Sequence, residues 1–419
     1  MTHIKQNNNS RLKILFISAH TPKPDGAGSE KRAWAHLLAL SKSGAVNLCI
    51  LTSKGVVNAS EHTHLNGLVS KVSVLTAKKF DLTVSNIPGK SLLKELIFGS
   101  SLKYSLSKGS VENLNALLQV NNFDVLFCFR WQAGWVAKKY CNLVRKSTKI
   151  FVDLDDIDSK AMERQLSVDQ ASLGKELRLI YQLRIRRQQS IEQKLAKFSH
   201  ILIICSDSDN TNLSDRFSCC EVATIPNCIA IPDMKQTILA NKKNQLTLLF
   251  VGTMSYLPNE DAILYFHKQI YPEIKRQLNP TKLVLNIVGF SPSKHIQSLS
   301  DGDGIVVTGG VDSVEPYYLD ADLVICPIRH GGGTRIKILE AMSYGCATVS
   351  TVIGAEGIDV EHNKNILLSD NTIQFQEHCV ELLRNKELRS ELGKAGKKLV
   401  TQKYSINVII KKIQQLIKS

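Results

Sequence analysis

The sequence predicts an α/β protein with two Rossmann-like domains, each built on a parallel sheet covered by helices. Short apolar runs typical of buried strands alternate with amphipathic stretches along the chain, which is the pattern of β-α-β units. The alternation restarts after a turn-rich, charged stretch at residues 226–244. With 419 residues, 43% of them apolar, the chain is long enough for two domains with ordinary hydrophobic cores.

The first domain is expected to span residues 1–232. Its predicted strands are Leu12–Ser18, Asn47–Leu51, Val72–Leu75, Val125–Phe129, Ile150–Asp153 and Ile201–Cys205. A helix is predicted from Glu30 to Lys42, with Ser29 as its N-cap. Residues 160–198 are expected to form one long helix rich in Arg and Lys, either as a solvated face or as a surface for a membrane or a substrate.

The second domain is expected to span residues 233–403, followed by a terminal helix over 404–419. Its predicted strands are Leu246–Val251, Leu283–Val288, Ile305–Thr308, Leu323–Cys326 and Ala347–Ser350. Two open parallel sheets in one chain imply a cleft between the domains. Ligands of such sheets bind beyond the carboxyl ends of the strands.

Composition excludes several classes of protein. The longest mostly apolar stretches, such as Ile201–Cys205 and Leu246–Val251, are far shorter than the roughly 20 residues of a membrane-spanning helix. The polar, Asn-rich start is unlike a signal peptide. The ten cysteines include no C-x-x-C pair, so we expect reduced thiols, no metal site and a cytoplasmic protein.

The positive charge is concentrated in one half of the chain. Residues 1–250 carry 34 Lys and Arg against 20 Asp and Glu, whereas the remainder carries 19 against 18. A basic half favours a phosphate-rich partner, namely nucleic acid, an anionic membrane or an anionic lipid-linked substrate, unless the charge serves solubility alone. Nucleic acid is the weakest of these, because the sequence has no helix-turn-helix, zinc or aromatic-basic motif.

The most informative stretch is Asp320–Gly345, in which a buried strand leads into three consecutive glycines, Gly331–Gly333, and then a helix predicted to start near Thr334. Backbone N–H groups of such a loop, together with a helix N-terminus, favour an anion. Arg335 and Lys337 oppose the helix dipole, so they indicate an anionic ligand. The loop is neither a P-loop nor a dinucleotide fingerprint.

Two stretches of the first domain are also candidates. Pro22–Arg32 is a glycine-containing loop that directly follows the first strand. Asp153, Asp155, Asp156 and Asp158 follow a later strand, where carboxylates can bind a metal, accept hydrogen bonds from hydroxyls, take part in acid/base chemistry or cap the next helix. We assign no metal to them.

Several motifs occur in an order that resembles a known family. They are ISAHTPKPDGAGSEKRA, SDSDNTNLSDRF followed by TIPNCIAIP, LFVGTMSYLPNEDAILYF, and the block VTGGVDSVEPYYLDADLVICPIRHGGGTRIKILEAMSYGCATVSTVIGAEGI. Together they resemble the GT-B-fold, retaining glycosyltransferases of the group 1 type, bacterial enzymes of polysaccharide and glycolipid assembly. The final YSINVIIKKIQQLIKS is similar to the terminal helix that crosses back to the first domain in that family.

The resemblance implies a donor site for a nucleoside-diphosphate sugar. Glu340 matches the second Glu of the family's Glu-x7-Glu motif, which holds the donor's ribose. The residues that match the loop at the diphosphate are Gly333, Thr334, Arg335, Ile336 and Lys337. Gly28 matches the first-domain glycine that approaches the phosphates, and Gly309 and Gly310 match the loop beside the nucleobase.

Three departures from the family pattern affect the expected catalytic groups. Gly332 stands where the first Glu would fall, with His330 nearby. Thr253, Pro258 and Asn259 replace the usual Arg and Lys, so Arg335 and Lys337 are expected to supply those charges.

In the first domain, Phe127 and Phe129 stand where histidines are often found in the family. Asp155 then occupies the next strand-end position. Asp155 and His330 are therefore the candidates near the acceptor hydroxyl.

The function expected from this resemblance is metal-independent transfer of a sugar, with retention, from a nucleoside-diphosphate sugar to a glycan or lipid-linked hydroxyl acceptor. The expected catalytic residues are Arg335, Lys337, Asp155 and His330. We expect a cytoplasmic enzyme with a possible peripheral contact with the inner membrane face. A non-catalytic assembly subunit and a sugar-nucleotide epimerase remain open as alternatives.

Overall fold

A computed structural model describes most of the chain as two compact units. The described residues are 11–53, 63–77, 105–169, 174–207, 216–233, 245–300, 302, 304–331 and 333–419. Unit 1 comprises residues 1–225 with 410–419, and unit 2 comprises residues 226–409. The polar start of the chain and most of the predicted boundary, residues 234–244, lie outside the described residues.

Unit 1 is built on a parallel sheet that has seven strands among the described residues. In sheet order they are β3 (Lys71–Thr76), β2 (Gly44–Thr52), β1 (Leu12–Ser18), β4 (Val125–Phe129), β5 (Lys149–Asp155), β6 (Ile201–Ile204) and β7 (Glu221–Thr224). Its helices are α1 (Gly28–Ser43), α2 (Lys108–Val120), α3 (Trp131–Tyr140), α4 (Asp158–Asp169) and α5 (Lys175–Ala196). The central strands are buried on both faces, as their continuous apolar runs predict.

Three details of unit 1 differ from the sequence prediction. The long helix over 160–198 is two helices, α4 and α5, and α5 begins after Gly174, whose backbone is extended. The N-cap of α1 is Ala27 rather than Ser29, because the Glu30 carboxylate accepts the Ala27 N–H. Strand β7 was not predicted, since its partly exposed sequence EVAT lacks an apolar run.

Unit 2 is built on a second parallel sheet with six strands in the described part of the chain. In sheet order they are β10 (Ile305–Gly309), β9 (Lys282–Val288), β8 (Gln245–Val251), β11 (Leu323–Cys326), β12 (Thr348–Ser350) and β13 (Leu367–Leu368). The two-residue β13 is too short to be seen as a sequence pattern. The first seven-residue strand, β8, lies at the middle of the sheet between β9 and β11.

Helices surround this second sheet. They are α6 (Leu257–Gln269), α7 (Tyr271–Leu278), α8 (Lys294–Gln297), α9 (Glu315–Asp320), α10 (Ile336–Ser343), α11 (Thr372–Arg384) and α12 (Lys386–Lys403). The terminal helix α13 (Ile406–Lys418) starts in unit 2, but its residues from 410 onward belong to unit 1. Helix α10 is buried over almost its entire length, because it packs between the sheet and α12. Its side chains therefore have fixed positions, which matters for the charged residues that it carries.

No helix within the described ranges has the length and hydropathy needed to span a membrane.

A glycine contact between α10 and α12 gives a test of this packing. A Cβ at Gly393 of α12 would collide with the backbone carbonyl of Gly345, which follows α10. We expect Gly393→Ala to lower the free energy of unfolding by about 1–3 kcal/mol, because overpacking outweighs the better helix propensity of alanine. Gly109→Ala in α2 is the matched control, since a Cβ there meets open space. The control should be neutral or stabilising by up to about 1 kcal/mol in urea unfolding. Equal stability of both variants would contradict this packing.

Candidate functional site

The predicted binding residues of unit 2 lie at one edge of its sheet. All strands are parallel, so the loops after β8, β9, β10 and β11 leave the sheet at the same carboxyl edge. These loops and the start of α10 carry Thr253, Gly309, Gly310, His330, Gly333, Thr334, Arg335, Ile336, Lys337 and Glu340. Gly332 lies outside the described residues. Gly28 and Asp155 belong to unit 1.

The glycine loop joins β11 to α10. Gly331 and Gly333 have φ of 107° and 80°, values that residues other than glycine rarely adopt. The helix begins at Ile336 with Arg335 as its N-cap residue, two residues later than the predicted start near Thr334. The extended backbone of Arg335 prolongs the loop. The Thr334 Oγ1 atom is buried and has no hydrogen-bond partner among the residues described.

Arg335 holds the glycine loop in shape. Its guanidinium donates to the Gly333 carbonyl at 2.6 Å and lies 3.5 Å from the His330 carbonyl. The side chain is buried. Arg335 therefore has a structural role at this helix start, because its guanidinium donates hydrogen bonds to loop carbonyls that would otherwise be unpaired.

Lys337 is a buried ammonium group in the first turn of α10. Its Nζ atom donates to Asn259 Oδ1 at 2.7 Å and lies 3.8 Å from the centre of the Phe250 ring. Burial lowers the pKa of Lys337 to about 8. Asn259 is oriented by its own Nδ2 group, which donates to the Thr253 carbonyl at 2.8 Å. The structure thus brings Lys337 to Asn259, one of the positions where the resemblance lacked a cation.

The space around Lys337 depends on a missing side chain. A Cβ at Gly252 would lie 2.9 Å from Lys337 Nζ and 2.8 Å from Asn259 Nδ2. Both distances are too short for a real Cβ contact. The glycine after β8 therefore allows the ammonium and amide groups to reach the backbone at the sheet edge.

Glu340 lies one turn further along α10. Its Oε2 atom accepts a hydrogen bond from the Tyr318 hydroxyl at 3.0 Å. Tyr318 is fully buried and its ring stacks on Tyr344, with centroids 5.2 Å apart. Burial, together with the nearby Glu340, raises the pKa of Tyr318 well above its usual value, so the phenol remains a donor. Sequence reasoning missed Tyr318, because a tyrosine before a buried strand is an ordinary core residue.

His330 lies beside an acidic group that the sequence analysis did not single out. Its Nε2 atom is 3.5 Å from Asp261 Oδ2, and Arg329 donates to both oxygens of Asp261. Although burial opposes it, these hydrogen bonds lower the pKa of Asp261 to about 2. His330 is buried, and its Nδ1 atom has no partner in the described structure. The imidazole is therefore paired at Nε2, whereas its buried Nδ1 has no partner within the described ranges.

The remaining predicted residues of unit 2, Gly309, Gly310 and Thr253, lie in or next to the loops at this edge, and Gly310 lies against an exposed aromatic ring. Gly309 has a φ of 69°, and its carbonyl accepts the Gly289 N–H at 3.0 Å. A Cβ at Gly310 would collide with Phe290, whose side chain is 63% exposed. Thr253 is exposed in the loop after β8. Close approach of the Phe290 ring to the backbone thus requires the second glycine of this pair.

Unit 1 carries a separate charged cluster around Asp153. This carboxylate is fully buried and accepts hydrogen bonds from Arg32 Nε at 3.0 Å and from the His36 ring. Burial alone would raise the pKa of Asp153, but Arg32 and His36 hold it below its usual value. Burial lowers the pKa of His36. Arg32 and His36 lie one turn apart on α1, so one helix face pairs with the strand-end carboxylate.

Asp155 is paired with two guanidinium groups of the same unit. Its carboxylate lies 3.5 Å from Arg32 Nε and 3.3 Å from Arg130, and the Ser29 hydroxyl lies 3.4 Å from Oδ2. Asp155 and Arg130 both have positive φ, at 62° and 73°, which is uncommon for residues other than glycine. Gly28, the first residue of α1, precedes Ser29. Asp158 also accepts from Arg130, so it forms an ion pair.

A possible ligand set for a metal ion also includes Asp155. One ligand atom each from Asp155, Asp156 and Cys205 lies within 4.8 Å of the others. The Cys205 thiol is 3.6 Å from Asp156 Oδ1. Two guanidinium groups already neutralise Asp155, and the mixture of thiol and carboxylates suits neither Mg²⁺ nor a structural zinc site. We assign no metal here.

Comparison with known proteins places these features in a family context. Residues 245–385 match the family model for Glycosyl transferases group 1. A curated relative, an uncharacterised 44.6 kDa protein in the cps region of Klebsiella pneumoniae, is 22% identical over 174 residues. That match covers 40% of this chain and less than half of the relative, 44%.

Solved structures share the fold over nearly the whole chain. Sucrose-phosphate synthase from Thermosynechococcus elongatus has a TM-score of 0.68 at 16% identity, covering 97% of this chain and 98% of that one. Anabaena HepE in complex with UDP has a TM-score of 0.64 at 14% identity, covering 97% and 100%. The resemblance to group 1 glycosyltransferases and the GT-B fold class are confirmed.

The pKa of Lys337 leads to a pH-dependent stability. The group has a pKa of about 8 when folded and 10.5 when exposed, so the unfolded chain holds its proton more tightly. The free energy of unfolding should therefore rise by about 3 kcal/mol from this group between pH 8 and pH 10.5. Lys337→Met should lack that rise in urea unfolding, whereas exposed Lys394→Met should parallel the wild type. Parallel curves for Lys337→Met would contradict the buried ammonium.

The ion pair of Asp153 predicts a large effect in unit 1. Arg32→Ala leaves a buried carboxylate short of its main partner, and we expect a loss of about 3–5 kcal/mol in the free energy of unfolding. Arg276→Ala, which breaks an exposed pair with Glu273, is the matched control and should cost less than about 1 kcal/mol. Because the folded pKa of Asp153 is depressed, the Arg32 effect should disappear as the pH falls below the usual aspartate range. Similar losses for the two variants at pH 7 would refute this assignment.

Proposed function

We propose that this chain is a glycosyltransferase that moves a sugar from a nucleoside-diphosphate sugar to a hydroxyl acceptor in polysaccharide or glycolipid synthesis. The observation that carries the proposal is the glycine loop of unit 2. It combines two buried cations, Arg335 and Lys337, with two polar atoms, Thr334 Oγ1 and His330 Nδ1, that have no hydrogen-bond partner within the described part of the chain. Buried polar atoms of this kind are normally paired, and a bound diphosphate sugar would supply partners to them.

The diphosphate is proposed to bind at the loop and the start of α10. The loop N–H groups and the helix N-terminus favour an anion, and the Lys337 ammonium supplies a full positive charge. Sugar transfer leaves a nucleoside diphosphate with increased negative charge on its terminal oxygens. Fixed cations and N–H dipoles stabilise that charge in the transition state more than in the ground state. We propose that this replaces a metal ion, so transfer should not require one.

The nucleoside is proposed to extend from the diphosphate along α10. Glu340 lies four residues after the helix start, on the order of 6 Å along the axis, which matches the short separation of ribose from phosphate in a nucleotide. Its carboxylate can accept hydrogen bonds from ribose hydroxyls. The exposed Phe290 ring beside Gly309 and Gly310 offers a flat apolar surface to a nucleobase.

Retention at the anomeric carbon and the acceptor-side roles are proposals from the family resemblance. His330, oriented by Asp261, is proposed to contact the transferred sugar or the acceptor hydroxyl near the missing carboxylate at Gly332. Asp155 is proposed to act in unit 1, where Arg32 and Arg130 hold its carboxylate in place. Gly28 is proposed to approach the phosphates from the same unit.

The acceptor is proposed to be a lipid-linked or growing glycan. The excess of 14 positive charges in residues 1–250 favours an anionic carrier, and peripheral contact with an anionic membrane would follow. Sedimentation with vesicles containing anionic lipid at low salt tests this point. Absence of binding at low salt would remove the membrane part of the proposal and leave the transfer reaction untouched.

A non-catalytic assembly subunit is the second candidate. Phe127 and Phe129, at positions where the family often has histidines, are fully buried in the core of unit 1 and cannot contact a ligand. Gly332 has no side chain at the position of the first Glu. Such a subunit would keep its fold and partners but fail to turn over any donor.

The first experiment measures nucleotide binding and turnover of the intact chain. Thermal shift against UDP, GDP, ADP, CMP and dTDP should show one nucleotide clearly ahead of the others, because a ligand stabilises the state that binds it. The corresponding sugar nucleotides should then release the free nucleotide rapidly when an acceptor is present, and only slowly, by hydrolysis, when it is absent. Stabilisation by none of them would refute the donor site, and binding without turnover would favour the assembly subunit.

Variants of the loop test the catalytic assignment. Lys337→Met should lower kcat at least about 100-fold, because the lost charge acts mainly in the transition state. Arg335→Lys should fall between Arg335→Ala and the wild type, since it keeps the charge but not the paired hydrogen bonds. Exposed Lys394→Ala is the control, and its kcat should be unchanged.

Donor affinity of the wild type should weaken above pH 8, where Lys337 loses its proton. Wild-type activity of Lys337→Met and Arg335→Ala would exclude these roles.

A further inference from the structure

Tyr318 is a buried residue in contact with Glu340 that the proposed function does not use. Its hydroxyl donates to Glu340 Oε2 at 3.0 Å and lies 3.5 Å from the Lys337 carbonyl. The side chain is 1% exposed. A hydroxyl this deep in a core needs a partner, and here the Glu340 carboxylate is closer than the backbone carbonyl of Lys337.

The contact restricts the rotation of Glu340. The Tyr318 ring is fixed by stacking on Tyr344, with an angle of 8° between the planes, and by the small cluster of Leu249, Val288 and Val324. The donor therefore points in one direction, and Oε2 is held against it. A carboxylate whose rotamer is fixed before binding loses less entropy when it accepts hydrogen bonds from a ligand.

We propose that Tyr318 is a positioning residue that sets the preference of the site for ribonucleotides over 2′-deoxyribonucleotides. This inference rests on the proposed function, in which Glu340 holds the ribose of a nucleoside diphosphate. A carboxylate that is already oriented to accept hydrogen bonds from both ribose hydroxyls binds a ribonucleotide more tightly than its 2′-deoxy form. Without the Tyr318 hydrogen bond, the carboxylate loses one of the contacts that fix its orientation, and the advantage of the 2′-hydroxyl decreases.

We expect the preference for ribonucleotides to depend on the orientation of Glu340 and not on the packing of the surrounding core. Tyr344 provides the matched comparison because it lies in the same stack and is only half-buried. Removal of either hydroxyl by Phe keeps the ring and its packing, so both variants should fold. The Tyr318 change removes the hydrogen bond to the Glu340 carboxylate, whereas the Tyr344 change leaves that bond in place.

The experiment is calorimetric titration of wild type, Tyr318→Phe and Tyr344→Phe with UDP and 2′-deoxy-UDP, with the GDP and ADP pairs measured alongside. For the pair that binds, Tyr318→Phe should weaken the ribonucleotide about 10-fold and the 2′-deoxy form less than about threefold, since a hydrogen bond to a charged group is worth about one order of magnitude. Tyr344→Phe should leave the ratio of the two affinities unchanged.

A double-mutant cycle with Glu340→Gln makes the test independent of small changes in stability. If Tyr318 acts through the carboxylate, adding Tyr318→Phe to Glu340→Gln should change the affinity ratio no further. Equal weakening of both nucleotides by Tyr318→Phe, or additive effects in the cycle, would overturn the inference and leave the donor site intact. If the wild type binds no nucleoside diphosphate, the proposed function itself fails, and this inference fails with it.

Discussion

Burial of the Lys337 ammonium group is the constraint around which the carboxyl edge of unit 2 is organised. A buried cation needs partners of fixed geometry, and Lys337 finds them in Asn259 Oδ1 and the face of Phe250. Asn259 is fixed in turn by the Thr253 carbonyl. The contact ties the start of α10 to the start of α6 and the end of β8. Gly252 leaves the room that this arrangement needs.

The other charged groups of this edge extend the same design. The Arg335 guanidinium donates hydrogen bonds to the carbonyls of Gly333 and His330, which links two positions of the loop. Tyr318 holds Glu340, and Asp261 holds one side of His330. Each group that the proposed reaction requires is thus supported by a neighbour. Such support is what fixed electrostatic stabilisation demands, because groups that are already oriented need not reorganise when charge develops.

Unit 1 uses buried charge differently. Asp153 and Asp155 are almost fully matched by Arg32, His36 and Arg130. Matching of this kind stabilises the unit and holds the Asp155 carboxylate in one orientation. The proposed role of Asp155 is therefore that of an oriented group. The carboxylates after β5, which left metal binding, catalysis and helix capping open in the sequence, serve mainly as partners of guanidinium groups in the structure.

The sequence by itself determined the two parallel sheets, most strand positions and the glycine loop, because these depend on local apolar runs and on glycine spacing. It did not determine the split of residues 160–198 into two helices, the true start of α10 or the N-cap of α1, which depend on single backbone and capping interactions. Only the tertiary structure paired Lys337 with Asn259, Tyr318 with Glu340 and Asp261 with His330. The two residues of each pair are 22 to 78 positions apart in the sequence. No local pattern encodes such contacts, since they form only when the parallel strands bring their carboxyl ends to one edge.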